Sequence, residues 1–140
     1  KPPERVFAAF ADPKQKRKWF VDGRDALDII AYDLDFRAGG VERFVVRFGP
    51  GTPIAGSMIE NETVYQIIVP NQRIVFAQVM KRDGVPFSAS LMTIELFATA
   101  AGTDLIATHQ AAFFEGADGP EMREHGWRTI FDALAQFLGD

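Results

Sequence analysis

The chain has no cysteine, and that absence removes disulfides, thiolate zinc sites and cysteine nucleophiles from consideration. It fits a reducing compartment, and the cytoplasm is the expected location. Histidine is scarce as well, with two in 140 residues, so acid-base chemistry near neutrality has few side chains to carry it. There is no basic excess. The formal net charge of -4 gives no long-range attraction for nucleic acid or an anionic lipid surface, and neither partner is expected. No apolar run approaches the roughly 20 residues that span a bilayer, and the opening KPPERVF lacks the apolar segment of a signal peptide. GxSxG, P-loop and dinucleotide fingerprints are missing, which leaves the usual nucleophile and phosphate-cradle mechanisms without support.

What the chain does have is apolar and aromatic material. At 47% hydrophobic, with 13 phenylalanines in 140 residues, it is the size of one ordinary domain and can bury a sizeable core. A single domain is expected over the whole chain. Each large ring needs a packing partner or a ligand, so a cavity is plausible on composition alone.

Periodicity sorts the chain into elements. PPERVFAAFADP (2 to 13) predicts a short helix, with Pro3 at its first position, Glu4 at the positive end of the helix dipole, and Val6, Phe7 and Phe10 on one face. Asp12, Pro13 and Gln15 carry start signals for a second turn or two, reaching about Trp19 and Phe20. From residue 28 the period becomes twofold: Ile30, Tyr32, Leu34 and Phe36 form one row, and after an Arg37–Gly40 turn Glu42, Phe44, Val46 and Phe48 form the matching row of a hairpin. Strand-like segments follow at roughly 57–69, 73–80, 88–97 and 104–114, separated by short turns that imply an antiparallel meander. Helical spacing returns from Pro120, with Trp127, Ile130, Phe131, Leu134, Phe137 and Leu138 as a broad apolar stripe. One long helix beside an antiparallel sheet makes the fold class α+β.

Five strings in this order resemble a known family: PPERVFAAFADP with Trp19, DLDFRAGGVERF (33 to 44), VPNQRIVFA (69 to 77), GTDLIATH (102 to 109) and GWRTIFDALAQFL (126 to 138). Together they resemble the activator of Hsp90 ATPase homologue 1-like (AHSA1-like) branch of the START/Bet v 1, or SRPBCC, superfamily. The resemblance implies a helix-grip fold, a curved antiparallel sheet wrapped around a long C-terminal helix and enclosing a cavity, with two short helices near the N-terminus. It also implies a first β-strand before the PPE helix, which is expected to be missing before residue 1. The family often has an aromatic residue near Gln78 and Met80, and a histidine a few residues ahead of Gly-Trp rather than beside it. Both departures fall on the expected cavity lining.

Candidate chemistry sits on few residues. His109 shares strand parity with inward-facing Leu105, and His125 lies near the start of the last helix beside Gly126 and Trp127; if they met, it would be at one end of the cavity. A capping or hydrogen-bonding role is the more ordinary reading of both. Glu121, Glu124 and His125, near Glu115 and Asp118, offer carboxylates at a helix start but match no zinc motif. KQKRKWF (14 to 20) reads as a solvated cationic face, with Trp19 and Phe20 anchoring it to the core. NET (61 to 63) fits a glycosylation sequon by coincidence. Gln78 and Glu42 interrupt apolar rows and are candidates to orient a ligand or to hydrogen-bond each other. Gly126 is read as permitting close approach of the helix.

The cavity lining is therefore expected to draw on Phe44, Val46, Phe76, Gln78, Met80, Met92, His109, Trp127, Ile130 and Phe131. The resemblance implies a domain that binds a hydrophobic or aromatic small molecule; the residues themselves lead to the expectation of no cofactor, no metal and no assigned catalysis. A cyclase- or hydrolase-type enzyme using His109, His125 or Glu42 is the alternative, and a chaperone-associated stress-response protein a further one, though an Hsp90-type chaperone is not the expected partner. A homodimer is reasonable for a sheet with exposed strand edges.

Overall fold

A computed structural model describes residues 1 to 24 and 26 to 139. Helix α1 (Pro3–Ala11) starts at a proline, whose missing N–H would have no intrahelical partner there in any case. Its C-terminal neighbour Asp12 caps α2 (Pro13–Lys16): the Asp12 carboxylate accepts from the Lys14 N–H at 3.0 Å and from Gln15 Nε2 at 3.2 Å. The local N–H donors hold that carboxyl below its ordinary value. The chain then widens into a π-helical turn, Arg17–Val21, closed by the Asp22 N–H donating to the Arg17 carbonyl at 2.9 Å.

Six strands follow: β1 (Leu27–Leu34), β2 (Val41–Phe48), β3 (Met58–Val69), β4 (Arg73–Arg82), β5 (Val85–Thr99) and β6 (Gly102–Phe113). They pair antiparallel in sequence order, β1 and β6 at the edges. The β4–β5 turn shows why the order is so regular. Asp83 and Gly84 have φ of 50° and 85°, the left-handed pair that a two-residue hairpin requires to match strand twist. Helix α3 (Pro120–Gly139) returns across the sheet, giving the α+β helix-grip arrangement of a curved antiparallel sheet around a C-terminal helix. Among the described residues no helix is long and apolar enough to cross a membrane.

The inward rows meet in one core, where Phe44, Val46, Ile74, Phe76, Met92 and Ile94 are all buried and pack with Leu134 and Leu138 of α3. The expected row of β1 needs correction. A bulge between Ile29 and Ala31 adds a residue and flips the parity, so Leu27 and Ile29 face the core ahead of it and Tyr32 and Leu34 after it, while Ile30 stands 48% exposed.

The cationic segment also needs correction. Lys14, Arg17 and Lys18 are exposed, but Lys16 is only 5% exposed. Its Nζ lies 2.9 Å from Glu42 Oε2 and 3.5 Å from the Tyr65 hydroxyl, among the rings of Phe10, Trp19 and Phe20. Glu42 in turn accepts from the Tyr32 hydroxyl at 2.6 Å and the Tyr65 hydroxyl at 2.8 Å. Burial, then the Glu42 charge, push both phenols far above their ordinary value, so they act as donors. This quartet joins α2 to β1, β2 and β3.

Candidate functional site

On α3 the residues that face the sheet are Arg123, Trp127, Ile130, Phe131, Leu134 and Leu138, a spacing of three and four that keeps them on one side of the helix. Toward its C-terminal end this face closes on the core with Leu134 and Leu138. Around Trp127 it does not close. The indole reaches Phe76 with ring centres 6.2 Å apart, stacks on Phe131 at 5.6 Å, and stands 6.2 Å from the His109 imidazole.

Two cavities share Trp127 as a wall. The larger, about 1290 Å³, is an open groove between β6 and α3. Leu105, Ala107, His109 and Ala111 line it from the strand, and Trp127 and Phe131 from the helix. Lys1 lies at its edge, the Lys1 carbonyl accepting from the Thr103 hydroxyl at 2.7 Å. The smaller, about 150 Å³, lies between β3, β4, the segment after the π-helical turn and the first half of α3. Its apolar walls are Phe20, Met80, Trp127 and Ile130, and its polar groups are Arg24, Asn61, Gln78 and Arg123.

Register accounts for the polar groups on the sheet side. Asn61 pairs with Met80 and Thr63 with Gln78 across β3 and β4, which places both amides on the inward face. Gln78 Nε2 donates to the Thr63 hydroxyl at 3.1 Å; it does not bond to Glu42, which lines neither cavity. Arg123 is held on several sides. Its Nε and Nη2 donate to the Asp118 carboxylate at 2.8 and 2.7 Å, Nη2 also donates to the Ser88 hydroxyl at 3.0 Å, and the guanidinium lies over the Phe113 ring at 5.0 Å. Arg24 rests over Phe20 and Phe44 at 5.3 and 5.5 Å, and burial lowers its pKa from the ordinary value.

Among the described residues, three buried side-chain polar atoms have no hydrogen-bond partner: Asn61 Oδ1, His109 Nε2 and Arg123 Nη1. All three belong to residues lining a cavity bounded by Trp127. A buried polar atom without a partner is costly, and in native proteins such groups mark a place for water, an ion or a ligand. Burial, then the positive charge of Arg123, hold the His109 imidazole below its ordinary 6.5. At pH 7 it is therefore neutral, with one ring nitrogen to donate and one to accept.

The sequence-derived lining divides three ways. Met92, His109, Trp127 and Phe131 line the groove; Gln78, Met80, Trp127 again and Ile130 line the smaller cavity. Phe44, Val46 and Phe76 are buried in the packed core and line neither. His125 is exposed and shares no cavity with His109, because it points away from the face that carries Arg123 and Trp127. Among the described residues no group of three or more acidic or imidazole side chains is gathered as a metal site would need.

Gly126 does not serve close packing: a Cβ there would meet nothing within 4 Å, since the glycine opens on the smaller cavity. Gly126→Ala is accordingly expected to stabilise the protein by about 0.5–1 kcal/mol, the ordinary gain of alanine over glycine inside a helix. Thermal unfolding should show a rise of roughly 2–3 °C; a fall would mean that the helix is packed closely at this position. Arg24 and Arg123 are not among the residues the sequence points to, and Asn61 stands out there only as the start of the NET sequon, not as a cavity group. Arg123 carried the only available signal, since it falls four residues before Trp127 on the buried stripe.

The chain matches the family described as activator of Hsp90 ATPase homolog 1-like protein over residues 1–139. It is similar to the solved structure of a protein from Rhizobium leguminosarum, at 36% identity and a TM-score of 0.88, covering 99% of this chain and 87% of that one. A protein from Rhizobium loti is 44% identical with a TM-score of 0.82, covering 98% and 89% of the two chains. The AHSA1 protein from Silicibacter pomeroyi, at 24% identity and a TM-score of 0.72 over 99% and 90%, shares the fold. No curated protein matches the chain. With a family match across nearly its whole length and an antiparallel sheet gripping a C-terminal helix, the chain belongs to the activator of Hsp90 ATPase homolog 1-like family of the SRPBCC, Bet v 1-like superfamily.

Proposed function

We propose that the domain binds a small hydrophobic or aromatic molecule between its sheet and α3. The observation that carries this reading is the coincidence of orphaned polarity with open space. Throughout the quartet around Glu42 every polar group is answered, yet among the described residues the buried atoms without partners all belong to residues beside the two cavities at Trp127. A ligand pocket has this character: mostly apolar walls and a few placed polar groups. The hydrolase- or cyclase-type alternative has less to stand on, because Glu42, His109 and His125 share no cavity and a general acid and base must both reach the reacting atoms.

The test uses a neutral fluorescent ligand, N-phenyl-1-naphthylamine, together with native mass spectrometry of freshly purified protein. Saturable one-to-one binding is expected, along with a small-molecule adduct that activation removes. Trp127→Ala should weaken binding about tenfold or more, roughly 1.4 kcal/mol, while far-UV circular dichroism shows the fold intact. A non-saturating response, identical in wild type and Trp127→Ala, would sink the reading.

A further inference from the structure

The smaller cavity has a charge that the rest of the chain does not. The protein as a whole is acidic, at -4, yet among the described residues those lining this cavity include two arginines and no aspartate or glutamate. Arg123 is 6% exposed, and its guanidinium is immobilised through Nε and Nη2 by Asp118 and Ser88. Among the described residues that fixing leaves Nη1 as the one guanidinium nitrogen without a partner, a donor already oriented before any ligand arrives. Pre-orientation of this kind lowers the entropic cost of binding.

Asp118 neutralises Arg123, so the second cation, Arg24, sets the sign of the site. Among the described residues its only charged-group interactions are with the faces of Phe20 and Phe44. A partly buried guanidinium that rests on rings favours an anion able to approach its edge. The remaining space selects the anion's body. A cavity of about 150 Å³ is the size that an apolar protein interior gives to one benzene molecule, and Phe20, Met80, Trp127 and Ile130 supply a wall for a flat hydrocarbon rather than for a hydrated inorganic ion. Asn61 Oδ1, unpartnered on the sheet side, would accept from a hydroxyl or amine on that body.

We propose that this cavity is an anion-selective site for a small organic carboxylate, with its carboxylate on Arg123 Nη1 and Arg24 and its planar one-ring body against Trp127, Phe20, Met80 and Ile130. The assignment rests on the small-molecule reading above and narrows it to a ligand class. Discrimination between a carboxylate and its neutral isostere follows from the same geometry, because an uncharged amide would leave Arg24 without an anion and would accept at Nη1 more weakly than a carboxylate.

The probes are benzoate, benzamide as its neutral counterpart of the same shape, and inorganic phosphate, followed by calorimetry and by amide chemical shifts. Benzoate is expected to bind at least tenfold more tightly than benzamide, and its shifts should cluster on β3, β4 and the first half of α3. Arg123→Met and Arg24→Gln should each remove most of that preference. Arg24→Gln is the safer variant, because the contacts its guanidinium makes among the described residues are with the faces of Phe20 and Phe44. Gly126→Leu, which places a side chain over the cavity without a backbone clash, should abolish binding of both aromatic probes while the protein remains folded. Equal affinity for benzoate and benzamide would overturn the anion preference, and phosphate binding with the same shifts would overturn the organic body. If neither ring compound binds while N-phenyl-1-naphthylamine still saturates, this inference falls and the broader one stands; if none of the three binds, both fall.

Discussion

Glu42→Ala is expected to cost about 3–5 kcal/mol of folding stability, the range for removing one partner of a buried ion pair. The size of the loss comes from what stays behind. Lys16 would keep its ammonium in a site that is 5% exposed, with the Phe20 ring centre 4.6 Å away and no carboxylate to replace water. The Tyr32 and Tyr65 hydroxyls, which donate to Glu42 at 2.6 and 2.8 Å, would lose their acceptor in the same step. Ring faces around the ammonium supply only part of the missing attraction. Urea unfolding would measure the loss, and a cost below about 1 kcal/mol, the range of an exposed pair, would mean that water reaches the quartet. The double variant Lys16→Met with Glu42→Leu separates charge from packing. It should recover a substantial part of the stability lost in Glu42→Ala, because a buried pair exchanged for apolar groups of similar volume is often neutral, but not all of it, because the two hydroxyls remain.

That quartet also marks where sequence pattern stops being informative. The strands were legible because apolar residues alternate along them, and α3 because Trp127, Ile130, Phe131, Leu134 and Leu138 repeat at helical spacing. Glu42 was legible as an interruption of an inward row. Its partner was not: Lys16 sits in a run of four cations, and nothing local distinguishes a lysine on a solvated face from one whose π-helical continuation turns it inward. The pairing spans 26 residues in sequence and is decided by how α2 docks on β2. The bulge at Ile29–Ala31 escaped for a similar reason, since an extra residue in one strand is defined by its partner strand. At the site, pattern found the walls and missed the charges. Met80 and Met92 follow from strand parity and Trp127, Ile130 and Phe131 from helical spacing, whereas Arg123 is buried only because Asp118 and Ser88 are there to receive it. Phe44, Val46 and Phe76 satisfied the same parity and are core, because parity tells inward from outward and not packed from open.

Trp19→Ala carries the second large expectation, again about 3–5 kcal/mol, the usual cost of deleting a buried tryptophan side chain. Trp19 is 5% exposed and meets Phe10 edge-on at 5.1 Å and Phe20 at 5.8 Å, so its removal opens a void between α1 and the π-helical turn. A polar reason is added to the packing one. The Ala9 carbonyl lies in the last turn of α1, and the residue four positions on, whose N–H would ordinarily serve it, is Pro13, which has none. The Trp19 indole Nε1–H donates to that carbonyl at 2.9 Å and so stands in for the missing backbone donor. Trp19→Phe tests the substitution of roles: it keeps most of the ring but leaves a buried carbonyl unpaired, at an expected cost of about 1–3 kcal/mol. Trp19→Ala should exceed it clearly in urea unfolding, with Trp127 left as the only tryptophan reporter. Equal losses for the two variants would mean that the hydrogen bond, not the packing, holds the segment. Because Trp19 packs against Phe20, and Phe20 is a wall of the smaller cavity, Trp19→Ala should also weaken benzoate binding, whereas Trp19→Phe should leave it nearly unchanged.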